Sequence, residues 1–344
     1  MRALLIVNPH ATSTTRLRRD VIVRALSSAV ELEVVETRYR GHATSLASAA
    51  RAAGFGLVLT LGGDGTVNEA VNGILGGGTA GRPAQAGVTA ADAVTAQAGV
   101  TAQGSRPGPA GAPRADADGL PALAALPGGN ANVFTRAVGM PADLVDAVGQ
   151  VLESLADGRC RRIGLGLAGD RYFTFNAGLG LDAEVVRAVD GHRARGLAAS
   201  SALYVRMTLR QFYRVTDRRH PALTLERRGH PPAGPLFLGI VSNTSPWTYL
   251  GRRPIYTNPR AAFDRGLDLF ALRSLRTASL ARTLRQMVAG GRTPRGRTVL
   301  TLHDQDELTL TSARPVAFQV DGEYMGEYER VSFRSVPDAL RVIA

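Results

Sequence analysis

A glycine-rich turn at residues 62–68 constrains the fold of this chain more than any other feature. The turn reads Gly-Gly-Asp-Gly-Thr-Val-Asn, and the apolar run Leu57–Leu61 before it suits a buried strand. Apolar residues at helical spacing follow the turn as far as Ile74. A turn of this kind joins a strand to the start of a helix, which predicts an α/β unit.

The same turn predicts a phosphate-binding site. Glycines let the backbone approach a ligand, and the helix N-terminus adds free N–H donors and partial positive charge. Asp64 would repel a phosphate unless a cation intervenes, and the natural cation is Mg²⁺, held directly or through water. An isolated glycine pair would favour an ordinary strand-to-helix turn, whereas the whole string with Asn68 and Glu69 favours the phosphate site.

Alternating strands and helices organise the first part of the chain. Strands are expected over 3–7, 32–37, 57–61 and 120–126, with helices over 16–29, 43–53 and 67–74. This alternation predicts an α/β domain with a doubly wound, mostly parallel sheet and helices on both faces. Ligands bind such sheets beyond the carboxyl ends of the strands, so the Asn8 turn and the Asp64 turn are expected on the same edge.

Residues 76–118 differ from the rest of this domain. They are rich in Gly, Ala, Pro, Thr and Gln, and Ala-Gln-Ala-Gly-Val-Thr-Ala occurs at 84–90 and again at 96–102. Such a composition cannot bury enough apolar area to offset its ordering entropy, so we expect a disordered low-complexity insertion. Two copies are too few for a solenoid.

Short apolar runs separated by turn residues begin at residue 162. They predict a second, β-rich domain built as an antiparallel sandwich, with helices over 183–213 and 278–289. The expected boundaries are a first domain at 1–140, a second domain at 141–336, and a segment at 337–344 that returns to the first domain as a strand.

Composition limits the classes of partner and compartment. All 41 basic residues are arginine, and the formal charge of +12 with a pI of about 10.9 indicates attraction to an anionic membrane or nucleic acid. The single cysteine, Cys160, excludes an internal disulfide and fits a reducing cytoplasm. No apolar run reaches the roughly 18 residues needed to span a bilayer, so we expect a cytoplasmic protein whose membrane contact is peripheral.

Four motifs stand in a characteristic order along the chain. They are Asn8-Pro9, Gly62–Asn68, Gly128–Phe134 and Asp321-Gly322-Glu323. This order resembles the diacylglycerol kinase catalytic family of lipid kinases, which includes sphingosine and ceramide kinases. The run Phe175–Val185 is similar to the opening of that family's second domain, and the resemblance covers nearly the whole chain apart from the insertion. NAD kinases and phosphofructokinases carry a related glycine-rich turn, but Asn8-Pro9 and Asp321-Gly322-Glu323 favour the lipid kinases.

The resemblance implies that ATP binds in a cleft between a nucleotide-binding domain and a lipid-substrate domain. The residues that it assigns to the nucleotide are Asn8, Pro9, His10, Ala11, Thr12, Thr37, Gly62, Gly63, Asp64, Gly65, Thr66, Val67, Asn68, Gly129 and Asn130. It makes Glu323 the catalytic base and lets Asp321 orient the acceptor hydroxyl or contact Mg²⁺ through water. Alone, Asp321-Gly322-Glu323 would be read as a hairpin turn, because Asp-Gly is common there.

Two departures from the family pattern concern metal binding. The family has Thr and Asn-Asp where this chain has Asn130 and Asn132-Val133, so one carboxylate is missing from the Mg²⁺ network. Several bacterial members also bind a structural Mg²⁺ in the second domain, where this chain has Arg265 in place of a carboxylate. Asp264 and Asp268 are the residues that could substitute.

The expected reaction is Mg²⁺-dependent transfer of phosphate from ATP to diacylglycerol, giving phosphatidic acid. Another lipid acceptor (a long-chain base, a ceramide or a glycolipid) is the alternative, and NAD is less favoured. Arg206, Arg210 and Arg214 share one helix face, which indicates contact with an anionic membrane or, equally, a solvated face. No nucleic-acid module is recognisable. If the chain self-associates, we expect a homodimer.

Overall fold

The structure is a computed structural model that describes residues 1–9, 11, 16–77, 119–193 and 219–344. Three groups of predictions lie outside these residues. They are the sites His10 and Thr12, the insertion from residue 78 to 118, and the helix beyond residue 193 with its predicted membrane face at Arg206, Arg210 and Arg214.

The N-terminal domain contains four strands and five helices in its described residues. The strands are β1 (Arg2–Val7), β2 (Glu31–Glu36), β3 (Leu57–Gly62) and β4 (Ala122–Pro127), and the helices are α1 (Arg16–Ser27), α2 (His42–Ala52), α3 (Asp64–Leu75), α4 (Val133–Ala137) and α5 (Leu144–Ala156). Both β3 and β4 are buried along their whole length, as continuous apolar runs in a parallel sheet should be.

All four strands of this domain run parallel, in the order β4-β3-β1-β2. The helices form two packed pairs, α2 with α3 and α1 with α5, as expected for a sheet covered on both faces. The predicted α/β class and doubly wound parallel sheet are confirmed. The carboxyl ends of the strands therefore meet along one edge.

The C-terminal domain is mostly antiparallel β-structure. Its elements are β5 (Arg161–Ala168), β6 (Arg171–Phe173), β7 (Asn176–Gly180), α6 (Leu181–Arg193), β8 (Leu223–Arg227), β9 (His230–Leu236), β10 (Leu238–Ser242), β11 (Thr248–Leu250), β12 (Arg253–Ile255), β13 (Leu267–Leu272), α7 (Thr277–Ala289), β14 (Val299–Gln305), β15 (Glu307–Val320) and β16 (Glu323–Val342). The predicted β-rich antiparallel class is confirmed. Strand order β14-β13-β10-β7-β15-β16 joins this domain to the parallel strands through β16 and β4.

The junction between the domains is continuous rather than a linker. The end of β16 pairs in parallel with β4, with Val342 opposite Leu123. Helix α5 packs on β4 and α1, and its Val148 and Val151 belong to the N-terminal core. The packing of α5 therefore favours a domain boundary after this helix, whereas the boundary at residue 140 stays a proposal.

Two long strands differ from the short runs expected. The segments 307–311 and 316–320 are parts of one strand, β15, because the Ser-Ala-Arg-Pro between them forms a bulge instead of a turn. Strand β16 extends to 323–342 and accommodates an irregularity at Asp338, which has φ 52°. The hairpin of β11 and β12 and the edge strand β9 were not predicted, since their sequences carry Pro, Gly and Arg in place of an apolar alternation.

We expect Gly73→Ala to lower the free energy of unfolding by about 1–3 kcal/mol, because α2 and α3 would have to separate. A Cβ at Gly73 would lie 2.3 Å from the carbonyl oxygen of Thr44 and 2.7 Å from Cβ of Ala47. The matched control is Gly149→Ala in α5, where no atom lies within 4 Å and the substitution should stabilise by about 0.5–1 kcal/mol. Urea unfolding of both variants tests this, and equal effects would contradict the packing argument.

Candidate active site

The loops after the four parallel strands come together at one edge of the sheet. The backbone N–H of Asn8, which follows β1, donates to the carbonyl of Leu61 at 2.9 Å. Thr37 follows β2 and donates its N–H to Val7 at 2.8 Å. Gly128 follows β4 and donates to Gly62 at 2.9 Å. The predicted nucleotide residues of these loops therefore share one site.

The two glycine-rich turns pack directly against each other. A Cβ at Gly129 would lie 2.6 Å from the Cα of Gly63, and a Cβ at Gly128 would lie 2.7 Å from the N of Gly62. A Cβ at Gly62 would lie 2.6 Å from Thr66 Oγ1. Glycine is therefore required at 128 and 129 for contact between the turns, and at 62 for contact with Thr66 within the same turn. The two turns therefore form one unit whose backbone lies at the edge of the sheet.

Asp64 begins α3 and links the two turns. Its Oδ1 accepts a hydrogen bond from the N–H of Phe134 at 3.1 Å, and the N–H of Val133 also donates to the carboxylate. Burial of the carboxyl raises its pKa to about 6, although the two N–H donors and Arg136 oppose the shift. Asn132 closes the second turn because its side chain bonds both the N–H and the carbonyl of Gly129 at 2.8 Å.

Asp321 is a buried carboxylate that joins the two domains. Its Oδ2 accepts from Asn68 Nδ2 at 2.7 Å and from the N–H and hydroxyl of Thr174 at 2.7 and 2.8 Å. Its Oδ1 accepts from the N–H groups of Phe175 and Asn176 at 3.0 and 3.1 Å. Burial raises the pKa of Asp321, and the donors of Phe175, Thr174 and Asn68 counteract this rise.

The side-chain amide of Asn68 links Asp321 to Arg171 through hydrogen bonds. Its Oδ1 accepts from Nε and Nη2 of Arg171 at 3.0 and 2.6 Å. Its Nδ2 also donates to the carbonyl of Tyr172 at 2.9 Å. Arg171 is the first residue of β6, so the contact fixes this strand of the C-terminal domain against α3. The other end of Arg171 reaches Glu323.

Glu323 lies against the first turn of α3. A Cβ at Gly65 would lie 2.7 Å from Glu323 Oε1. The second oxygen, Oε2, is 3.3 Å from Arg40 Nη2 and 3.4 Å from Arg171 Nη2. The Glu323 side chain is 17% exposed and that of Arg171 is 12% exposed. Two cations hold one oxygen of this carboxylate, and the other oxygen points at the glycine-rich turn. The carboxylate therefore faces any group that binds at this turn.

The loop that carries Arg40 is itself held by α3. Oε1 of Glu69 accepts from the N–H of Gly41 at 2.7 Å, and Oε2 accepts from Ala43 at 3.1 Å. Burial raises the pKa of Glu69, the negative charge of Glu323 raises it further, and the two N–H donors lower it. Through this contact Glu69 sets the start of α2 and therefore the position of Arg40.

An open cleft of about 620 Å³ lies between α4 and the hairpin of β11 and β12. Its lining comes from both domains and consists of Arg136, Met140, Ala142, Asp143, Tyr249 and Arg252. The guanidinium of Arg136 lies 4.2 Å from the ring centroid of Tyr249, which ties α4 to the hairpin of β11 and β12. Arg136 follows Phe134 by two residues on α4, and the N–H of Phe134 donates to Asp64, so the cleft and the glycine turns are neighbours.

Two family models together match almost the whole chain. Residues 2–168 match the diacylglycerol kinase catalytic domain, and residues 176–344 match the YegS C-terminal NAD kinase beta sandwich-like domain. Residues 2–168 therefore belong to the diacylglycerol kinase catalytic-domain family. The family expected from the order of the four motifs, a family of lipid kinases, is thereby confirmed.

Relatives in this family are distant in sequence. A diacylglycerol kinase of Staphylococcus saprophyticus is 25% identical over 174 residues, which are 50% of this chain and only 43% of that protein. A diacylglycerol kinase of Staphylococcus aureus is 22% identical over 332 residues, covering 95% of this chain and 87% of the relative. The crystal structure of a diacylglycerol kinase from Bacillus anthracis has a TM-score of 0.65 at 17% identity and covers 99% of this chain and 96% of its own, which shows a shared fold.

Three residues predicted to touch substrate or nucleotide are enclosed instead. Asn68 is fully buried and its amide is used by Asp321, Arg171 and Tyr172, so it links elements rather than contacting a ligand. Asp321 is 3% exposed and all its acceptor positions are taken, so it cannot orient a hydroxyl. The side chain of Val67 packs in the N-terminal core.

The other predicted nucleotide residues in the described part of the chain lie at the edge of the sheet or in the paired turns. They are Asn8, Pro9, Ala11, Thr37, Gly62, Gly63, Asp64, Gly65, Thr66, Gly129 and Asn130. Asn8 Nδ2 donates to Thr66 Oγ1 at 3.4 Å, and the N–H of Ala11 donates to the carbonyl of Asn8 at 3.0 Å. These contacts hold the Asn8 loop against the glycine turns.

The donor set suits a magnesium ion that arrives with nucleotide phosphates. Mg²⁺ commonly takes one or two carboxylates together with phosphate oxygens, and Asp64 offers such a carboxylate at the start of α3. Over the residues that the structure describes, no three His, Cys, Asp or Glu side chains lie together as a ligand cluster. Asp264 is exposed, whereas Asp268 is buried with its Oδ1 2.7 Å from His303 Nδ1, so a second metal site at these two residues stays a prediction.

Arg40, Arg171 and Asn132 are site residues that sequence reasoning missed, and Glu69 received no role. The arginines carry no local signal, because Arg40 is one of two arginines before a helix and Arg171 opens an apolar strand. Glu69 stands within the glycine-turn motif, and its helical spacing from Gly65 could have placed it on the same face of α3. Asn132 could have been recognised as a turn-closing residue, because asparagine tolerates its φ of 47°.

We expect Asp321→Asn to lower the free energy of unfolding by about 3 kcal/mol, because an amide N–H₂ would face buried donors. Glu323→Gln, two residues away, should change it by no more than about 1 kcal/mol, since its ion pairs with Arg40 and Arg171 lie partly in solvent. Urea unfolding at neutral pH measures both. A stable Asp321→Asn variant would show that the buried carboxylate does not hold the domains together.

Asp64 should make stability fall as the pH rises. Its folded-state pKa of about 6 lies above the ordinary carboxyl value near 3.9, so its ionisation opposes folding. That contribution is absent below about pH 4 and complete above about pH 6. The stability of Asp64→Asn relative to the parent should therefore rise by about 1–3 kcal/mol between pH 4 and pH 7. Urea unfolding at the two pH values measures the difference. A difference that does not change with pH would contradict the burial of the charge.

Proposed function

We propose that this protein is an ATP-dependent lipid kinase that phosphorylates the hydroxyl of diacylglycerol and releases phosphatidic acid. One observation carries the proposal. A carboxylate, Glu323, lies against the glycine-rich turn at Gly65 and is flanked by Arg40 and Arg171. Phosphoryl transfer needs this combination, because it depends on positioning, on cations around the moving phosphate and on an acceptor for one proton.

The nucleotide residues are proposed to be those of the sheet edge. The turn at Gly62, Gly63 and Gly65 and the loops at Asn8 and Thr37 would hold ATP, with Gly129 and Asn130 beside them. When bound with ATP, Mg²⁺ offsets charge on the phosphates. Asp64 would hold that ion with Oδ2, the carboxylate oxygen that does not accept from Phe134. The hydrogen bond from Phe134 to Oδ1 links the two turns and keeps Oδ2 in place.

Glu323 is proposed to act as the general base. The acceptor hydroxyl oxygen forms a bond to the γ-phosphorus while the bond from that phosphorus to the β,γ-bridging oxygen breaks, and ADP leaves with the electron pair. The hydroxyl proton passes to Oε1 of Glu323, the oxygen nearest Gly65. Arg171 and Arg40 hold Oε2, which keeps Oε1 directed at the turn, and they stabilise negative charge on the transferred group.

Diacylglycerol is the first acceptor to test, because the relatives of Staphylococcus saprophyticus and Staphylococcus aureus are both named diacylglycerol kinase. A long-chain base, a ceramide or a glycolipid could use the same base and turn. Their acyl chains would be held by ordinary apolar side chains. The acceptor is a membrane lipid, so we infer that the enzyme works as a peripheral protein at the cytoplasmic surface of an anionic membrane. In the described residues, no helix is both long and apolar enough to cross a bilayer.

Incubation of the full chain with γ-labelled ATP, Mg²⁺ and a lipid panel beside NAD should place the label in phosphatidic acid. Glu323→Gln should lower turnover by about 10²–10⁴-fold with an unchanged KM for ATP, because only proton removal is lost. The matched control is Glu329→Gln, an exposed glutamate on the same strand, which should retain full turnover.

Two results would count against the proposal. Full turnover by Glu323→Gln would remove the base assignment. Label found in NAD and in no lipid would remove the lipid acceptor.

A further inference from the structure

A basic surface formed by three segments that themselves contain no acidic residue lies on the C-terminal domain. We define it as the outer side of α7, the loop at residues 290–297 and the tip of the hairpin of β11 and β12. Residues 269–303 contain seven arginines and no aspartate or glutamate, and residues 245–263 also lack acids. Arg282 and Arg285 on α7 are exposed, as are Arg292, Arg295 and Arg297 in the loop. None of these five arginines forms a salt bridge in the described structure.

Hydrogen bonds join the three parts into one continuous surface. The side chain of Gln286 on α7 bonds the N–H of Arg295 at 2.7 Å and its carbonyl at 3.2 Å, which fastens the loop to the helix. The N–H of Tyr256 after β12 donates to the carbonyl of Met287 at 3.0 Å, which fastens the hairpin. These hydrogen bonds therefore fix the backbone segments that carry the arginines relative to one another.

Two leucines project from this surface. Leu250 at the hairpin tip is 45% exposed, and Leu284 on α7 is 46% exposed. Exposed leucines are not expected on a helix face that only contacts water. In an anionic bilayer, the arginines would meet the headgroups and the leucines would meet the acyl boundary. The hairpin tip also carries exposed Arg252 and Arg253 beside Leu250.

The basic surface leads directly to the candidate active site. Arg252 at the hairpin tip and Tyr249 behind it line the cleft opposite Arg136. The Tyr249 ring lies 4.2 Å from the Arg136 guanidinium on α4, and Phe134 of the same helix donates its N–H to Asp64, so the hairpin lies close to the glycine turns. A bilayer resting on the hairpin would present its lipids at the mouth of this cleft.

We propose that the basic surface docks the protein on an anionic lipid bilayer, with Arg282 and Arg285 contacting headgroups and Leu250 entering the acyl boundary. The choice of a bilayer over other polyanions rests on the exposed leucines and on the proposed lipid acceptor. Docking is measured by binding alone, so its outcome is separate from that of the kinase assay.

The test is co-sedimentation of the full chain with vesicles of phosphatidylcholine, with and without phosphatidylglycerol. The double variant Arg282→Gln/Arg285→Gln should bind the anionic vesicles roughly 30-fold more weakly, because each arginine near such a surface contributes about 1 kcal/mol. Added salt should weaken binding of the parent chain. Leu250→Ser should lower binding to the same vesicles by about tenfold.

The matched control is Arg24→Gln/Arg161→Gln, which removes the same charge from exposed positions of α1 and β5 and should bind vesicles like the parent. Equal losses in both double variants would overturn the proposal, because net charge alone would then explain binding. It would also be overturned if Arg282→Gln/Arg285→Gln lost affinity for a short DNA duplex and kept its affinity for vesicles. Either result leaves the kinase assay to decide the proposed function independently.

Discussion

The carboxylate of Asp321 lies where the two domains meet, and the rest of the site depends on the hydrogen bonds that this carboxylate accepts. An ionised carboxylate removed from water is costly unless hydrogen bonds replace its hydration. Asp321 obtains five, one from Asn68 on α3 and four from residues 174–176 of the C-terminal domain. Since no single element supplies them all, the carboxylate is satisfied only when α3 and the C-terminal domain are docked.

The turn after β15 separates a structural carboxylate from a reactive one. Asp321 and Gly322 have φ values of 47° and 74°, and Val320 pairs with Glu323, so the chain reverses in two residues. Asp321 enters the domain junction, whereas Glu323 emerges on β16 beside Gly65. Gln319 steadies this turn by accepting the N–H of Gly322 at 2.9 Å and donating to Asp182 at 2.7 Å. An Asp-Gly hairpin and a catalytic motif are thus compatible descriptions of the same three residues.

The parts of the fold that were predictable are those whose signals are local. Buried parallel strands appear in the sequence as apolar runs, and the glycine turns mark where those strands end. The common edge of the sheet could therefore be predicted from the sequences of β1, β3 and β4. The links between domains were not predictable. Asn68 and Asp321 are 253 residues apart, and an asparagine on a helix has the same sequence signature whether it meets a ligand or a buried aspartate. For that reason Asn68 was assigned to the nucleotide and Asp321 to the acceptor hydroxyl or Mg²⁺, and Arg171 was overlooked.

The central claim is that docking of the domains places Glu323 opposite the glycine turn, with a triphosphate between them. A crystal structure with Mg²⁺ and a non-hydrolysable ATP analogue tests this most directly. We predict the γ-phosphate between the turn at Gly63 and the carboxylate of Glu323, with Mg²⁺ on the side of Asp64 and the Asp321 hydrogen bonds unchanged. A triphosphate bound away from this turn, or a Glu323 carboxylate rotated away from the γ-phosphate, would contradict the account.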